Sequence, residues 1–94
     1  MEPGDQCVQV RVTIQNRLGL HARPAMAFVD TANAYASQIV VRKGPQVADG
    51  KSILQLMVLG ATRGSELVIG ASGPDAPLAA AALRALINRG FDED

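Results

Sequence analysis

The chain is poor in the residues that make most small domains reactive or cross-linked: one cysteine, one histidine, two phenylalanines, one tyrosine and no tryptophan among 94 residues. Cys7 has no second thiol to join, which excludes an internal disulfide and a cysteine-based zinc motif, so its expected role is structural. With apolar residues at 48% and aromatics at only 3%, the core must be built from Val, Ile, Leu and Ala. There is no excess of charge of either sign. Nine basic and nine acidic residues cancel, which argues against a nucleic-acid binder that works by neutralising phosphates. Long apolar runs are missing too: the Ile53 to Ala61 stretch is interrupted and far shorter than a membrane span, and Met1 to Gln6 is acidic and unlike a signal peptide. The expectation is a cytoplasmic protein with no membrane insertion.

What is present reads as one domain spanning residues 1–94, with 1–6 as an N-terminal extension and 92–94 as an acidic tail. Cys7 to Ile14 alternates strictly, Val8, Val10, Val12 and Ile14 against Cys7, Gln9, Arg11 and Thr13, which predicts a half-buried strand. After a polar loop, Ala25, Phe28, Val29, Ala32 and Ala36 recur at helical spacing from a start near His21. Ile39 to Val41 and Gln46 to Ala48, joined at Gly44 and Pro45, predict a hairpin. Ser52 opens a short apolar helix ending near Leu59, with Gln55 placed to complete a capping box. Leu67, Ile69 and Ala71 alternate with Glu66, Val68 and Gly70 in a fourth strand. Gly73 and Pro74 end it, Asp75 is placed to cap a last helix, and Pro77 fits that helix's first turn. The stripe of this helix is read as Leu78, Ala79, Ala82, Leu83 and Leu86. The order βαββαβα suits an α+β domain with one antiparallel sheet and its helices on one face. No repeat or low-complexity linker is evident.

His21 stands where a loop enters a helix, within Gly19-Leu20-His21-Ala22-Arg23-Pro24-Ala25. Free amides and the positive end of a helix dipole favour a phosphate at such a place, and Arg23 adds a fixed cation able to pair with phosphate oxygens. Those positive surroundings disfavour the imidazolium ion and so predict a neutral ring with a lone pair free to attack phosphorus. Pro24 fits the first turn without losing a hydrogen bond, and its fixed φ holds the turn. The bland alternative is a histidine that only caps the helix.

The run Asn16-Arg17-Leu18-Gly19-Leu20-His21-Ala22-Arg23-Pro24-Ala25 resembles the active-site signature of HPr, the histidine-containing phosphocarrier of the bacterial phosphoenolpyruvate-dependent sugar phosphotransferase system. Lys51-Ser52-Ile53-Leu54-Gln55-Leu56-Met57-Val58-Leu59-Gly60 is similar to the regulatory-serine segment of the same family, and Gly64, Gly73 and Asp75 continue the pattern. The likeness runs from about Cys7 to Arg89. It implies an open-faced β-sandwich of four antiparallel strands covered by three helices. It also implies phosphorylation of His21 on Nδ1, a stabilising role for Arg23, and a shaping role for Pro24. Enzyme I would be the donor and enzyme IIA domains the acceptors. The implied protein is a carrier and not an enzyme, a monomer, with no cofactor, metal or nucleic acid.

Ser52 with Gln55 three residues on would cap a helix in any protein. The resemblance adds a regulatory phosphorylation there, performed in many bacteria by an ATP-dependent HPr kinase/phosphorylase. Ile53, Leu54, Leu56, Met57, Val58 and Leu59 surround a helix too short to bury every side. The resemblance makes Arg17, Ala22, Met26, Lys51, Ile53, Leu54 and Met57 the candidate docking surface; the alternative is that the apolar members are core. Small departures are Gly50, where a larger residue is common, Pro45 in the hairpin and Pro77. Three variants of the family function stay open: the sugar branch, a nitrogen-branch (NPr-type) relative, and a regulatory paralogue not coupled to transport. The Lys51-Ser52-Ile53 setting favours the first or third. Retention of His21 separates the chain from the catabolite-repression form that works only through its serine. From another class, a two-layer α+β domain could be an acylphosphatase-like hydrolase or a ligand-binding module, but no Arg- and Asn-based phosphate loop is evident.

Overall fold

The computed structural model describes residues 6–93. The elements run β1 (Gln6–Thr13), α1 (Ala22–Asn33), β2 (Gln38–Lys43), β3 (Gln46–Asp49), α2 (Ile53–Val58), β4 (Glu66–Gly73), α3 (Ala76–Asn88) and a closing 3₁₀ turn, Gly90–Asp92. The strands form one antiparallel sheet in the order β1-β4-β2-β3. Alternation sets its register: Val12 lies opposite Leu67, Val10 opposite Ile69, and Val8 opposite Ala71, while Val41 and Ile39 of β2 meet Ile69 and Ala71 from the other side. One apolar face results, and a one-residue slip would turn it all toward water. The helices cover that face. Phe28 and Val29 of α1, Leu56 of α2, and Leu83, Leu86 and Ile87 of α3 join the sheet residues in one core. The architecture is the α+β open-faced sandwich expected. Gln6, counted with the extension on sequence grounds, pairs with Gly73 in β1; residues 1–5 of that extension lie outside the described residues.

Four local readings are corrected. Ala36 is not on the buried stripe of α1 but exposed, because the helix stops at Asn33. The stop and the failure of Asp75 as a cap share one cause. Asp75 precedes α3 but its carboxylate makes no cap bond; it accepts from the Ala36 and Ser37 amides, both at 2.9 Å, and from the Ser37 hydroxyl. Those two amides are thereby held away from a continued α1 and turned into β2. Gln55 does not complete a capping box, since its side-chain oxygen accepts from the Asp49 amide at 2.9 Å while the Ser52 amide goes to the Asp49 carbonyl. In α3 the buried positions are Ala76, Ala79, Ala80, Leu83, Leu86 and Ile87, and Leu78 is 67% exposed. Counting 3.6 residues per turn from Ala76 puts Leu78 off the packed stripe. Cys7, exposed at the start of β1, has its sulfur 3.5 Å from the Ser72 hydroxyl. Gly50 has a steric reason: a Cβ there would overlap the Ile39 side chain.

Candidate functional site

His21 reaches the surface because the loop before α1 is lashed down on both sides. Gly19 has φ +71°, a left-handed conformation, and a Cβ on it would strike the Ala61 carbonyl. That close approach lets the Leu20 amide donate to Ala61 at 2.9 Å, while Asn16, 1% exposed, donates from Nδ2 to the Gly19 carbonyl at 2.7 Å. Buried Leu20 and Pro24 then pin the loop and the first turn of α1 on either side of His21. His21 occupies the N-cap position in extended conformation, yet its side chain makes no cap bond. The histidine-as-cap alternative therefore fails. The free amides of the first turn belong to Ala22 and Arg23, since Pro24 has none and the Ala25 amide already reaches the His21 carbonyl.

The imidazole is engaged on one nitrogen. Nε2 lies 2.9 Å from Oε1 of Glu93, and the same carboxylate oxygen accepts from Asn16 Nδ2 at 2.9 Å. A carboxylate only accepts, so Nε2 carries the hydrogen in the neutral ring and Nδ1 carries the lone pair. The bond from His21 holds the Glu93 carboxyl below its ordinary 4.5. Partial burial opposes this; the Asn16 side chain, the nearby imidazole and the Arg23 guanidinium assist it. The sequence reading of wholly positive surroundings for His21 thus omitted one facing carboxylate. Arg17, Leu18, His21, Ala22, Arg23 and Glu93 line one open depression of about 460 Å³. Arg17 and Arg23 are exposed, and neither has an ion-pair or hydrogen-bond partner among the described residues, so both guanidiniums are available to an anion entering that depression.

The second candidate region is α2. Ser52 caps it, its hydroxyl accepting from the Gln55 amide at 3.2 Å. Between Ile53 and Leu59 only Leu56 and Leu59 are buried; Ile53, Leu54, Met57 and Val58 are exposed, as is Met26 on the adjacent α1. Lys51 is half-buried with its ammonium donating to the Tyr35 carbonyl at 2.8 Å. Sequence reasoning missed Glu93 as a partner of His21 and missed exposed Leu18 on the depression. The only available signal for Glu93 was an acidic residue soon after an aromatic one near the end of the chain. Among the described residues no group of His, Cys, Asp and Glu side chains is arranged to hold a metal, and no helix is long and apolar enough to cross a membrane.

An open-faced sandwich that presents one histidine and two arginines at a helix start has counterparts among small phosphocarrier proteins. The PTS HPr component phosphorylation site family model matches residues 8–89. Phosphocarrier protein NPr of Klebsiella oxytoca is 40% identical over 88 residues, 93% of this chain and 98% of the relative. Phosphocarrier protein HPr of Pseudomonas aeruginosa is 44% identical over 85 residues, 89% of this chain and 94% of the relative. The crystal structure of HPr-C-His from Thermoanaerobacter tengcongensis superposes with a TM-score of 0.89 at 41% identity, covering 93% and 98% of the two chains. The chain belongs to the PTS-HPr family and is an HPr-like phosphocarrier.

Proposed function

We propose that this phosphocarrier works through Nδ1 of His21, taking a phosphoryl group from phospho-enzyme I in the cytoplasm and passing it to an acceptor domain of the IIA type. It acts as a monomer, without cofactor or metal. One observation carries the reading: the ring has Nε2 committed to Glu93 and shares its depression with Arg17 and Arg23. In the step, the Nδ1 lone pair forms the new N–P bond while the donor's bond to phosphorus breaks and its electron pair stays on the donor. Arg23 offers two parallel N–H groups to the phosphoryl oxygens in transit. Pro24 holds the turn that presents both. Met26, Ala22, Ile53, Leu54 and Met57 form an exposed surface fit for docking, rimmed by Arg17 and Lys51, and Ser52 at its edge is both helix cap and regulatory phosphorylation site.

Incubation with phosphoenolpyruvate and enzyme I should give one acid-labile phosphate on His21 and none on His21→Ala. Undiminished labelling of that variant would refute the reading. The branch served is a second question. Relatives named NPr, at 36–44% identity, favour the nitrogen branch, while Pseudomonas relatives named HPr at 42–44% and the Lys51-Ser52-Ile53 setting support the other. Initial rates with the two kinds of enzyme I decide between them.

A further inference from the structure

The chain after α3 makes an abrupt reversal. Gly90, Phe91 and Asp92 have φ values of 65°, 57° and 59°, all in the left-handed region, and two of them are not glycine. Such backbone persists only where packing over-determines it. Here Phe91 is 8% exposed in the core, and the Arg89 guanidinium holds the Asp92 carboxylate at 3.1 Å. The result of the reversal is that Glu93 comes back beneath the loop of α1, 72 residues away in sequence, and accepts from His21 Nε2. Its side chain is 21% exposed and is held from a second direction by buried Asn16, whose other Nδ2 bond fixes the loop itself at Gly19. Backbone strain, a buried aromatic anchor and a buried amide thus converge on one carboxylate and one ring nitrogen.

We propose that Glu93 is a positioning residue for phosphoryl transfer. Resting on the carrier reading of His21, the assignment gives Glu93 two tasks. The first is geometric: by accepting the Nε2 hydrogen it selects the tautomer whose Nδ1 lone pair is free, and it fixes the rotation of the ring. The second is electrostatic. When Nδ1 bonds to phosphorus the ring keeps its Nε2 hydrogen and becomes cationic, and no proton moves. Glu93 faces that cation as it forms, as the carboxylate of a hydrolase triad faces its imidazolium. Arg17 and Arg23 serve the opposite charge, on the phosphoryl oxygens. The same contact stabilises the phosphorylated ring, so Glu93 also influences how readily the group is given up.

The test compares wild type with Glu93→Ala, Glu93→Gln and Glu93→Asp, with Asp92→Ala as a control on the arm. Ring-nitrogen NMR of the unphosphorylated protein reads the tautomer directly. Nδ1 of the neutral wild-type ring should show the shift of an unprotonated nitrogen and Nε2 that of a protonated one, and in Glu93→Ala the two should converge. Glu93→Gln retains an accepting carbonyl and should keep the tautomer while losing the charge. Phosphorylation by enzyme I should slow roughly ten- to a hundredfold in Glu93→Ala, by analogy with the loss when the outer partner that orients a metal-bound histidine is removed. Glu93→Gln should fall between, with its phosphorylation equilibrium shifted back toward enzyme I, and Glu93→Asp should recover part of the rate. Wild-type ring shifts and wild-type rates in Glu93→Ala would overturn the proposal. A wild-type chain that takes no phosphate on His21 refutes the carrier reading instead, a result seen in the parent protein before any variant is compared.

Discussion

Ser52 is where cap and switch can be separated quantitatively. Its hydroxyl satisfies the Gln55 amide of a helix only six residues long, at 3.2 Å. Ser52→Ala removes that acceptor and should cost about 1 kcal/mol. For a domain of this size that is a fall in Tm of roughly 4–8 °C. The helix should survive, because Leu56 and Leu59 still anchor it in the core. Ser52→Asp keeps a cap acceptor and adds a negative charge at the helix N-terminus, which the dipole favours by about 0.3–1 kcal/mol. Its Tm should therefore match or slightly exceed wild type. The cost of that charge should appear only on docking. Ile53, Leu54 and Met57, beside it, are 38%, 73% and 42% exposed, so a partner that covers them must strip water from the new carboxylate without offering it a cation. An uncharged group left desolvated and unpaired costs about 1–3 kcal/mol and a carboxylate more, hence docking weaker by roughly 5- to 150-fold or beyond.

The assay is rapid-quench phosphorylation of His21 by enzyme I across carrier concentrations, alongside melting curves. Ser52→Asp should raise KM with kcat little changed, because docking and chemistry are separate; Ser52→Ala should melt early and transfer normally. If Ser52→Asp transfers with wild-type KM, or fails only because it has unfolded, then Ser52 is a cap and nothing more.

Arg23→Ala should slow transfer strongly without lowering Tm, and Arg23→Lys should rescue it only in part, since an ammonium cannot reproduce the planar two-point contact; equal rates in all three proteins would remove Arg23 from the chemistry. Leu54→Ser and Met57→Ser should raise KM for enzyme I with melting nearly unchanged, whereas Leu56→Ala should lose about 2–5 kcal/mol of stability in urea titration, because it is fully buried. Asp75 predicts an acid limb. The Ser37 hydroxyl, then the Ala36 amide, lower its carboxyl below the ordinary 3.8 against the effect of burial, so its stabilisation is complete above that value and is lost as pH falls through the lower, folded value. Asp75→Asn should melt earlier at neutral pH, and the gap between the two melting curves should close in strong acid; a gap that stays constant with pH would refute the assignment.

The legible parts of this molecule are those in which one residue's environment follows from its near neighbours. Val8, Val10 and Val12 announce β1 because a strand with one covered face must alternate, and His21 with Arg23 announces a phosphate-tolerant helix start because the loop, the turn and Pro24 are contiguous. In α2 and its C-cap Leu59 the sequence leaves six apolar residues unsorted. All are compatible with a core, and the choice of Leu56 and Leu59 over Ile53, Leu54, Met57 and Val58 is made by which side of a two-turn helix meets the sheet.

The failures have a common physics. Capping rules assume that a polar side chain spends itself on the nearest free amide, and here two such side chains find better offers. Gln55 turns back six residues to Asp49, and Asp75 reaches 39 residues to Ala36, where a charge-assisted bond to two amides and a hydroxyl outweighs a single cap bond. Glu93 is the extreme instance. Apart from the aromatic Phe91 just before it, nothing near it in sequence suggests a partner, and its position is created by Phe91 entering the core and reversing the chain. Each of these long reaches does work that a local bond could not. Asp75 sets where α1 stops, and so where β2 begins. Glu93 sets which nitrogen of His21 holds the hydrogen. A chain with one histidine has one tautomer to control, and the control comes from the end of the sequence farthest from the loop that presents the ring.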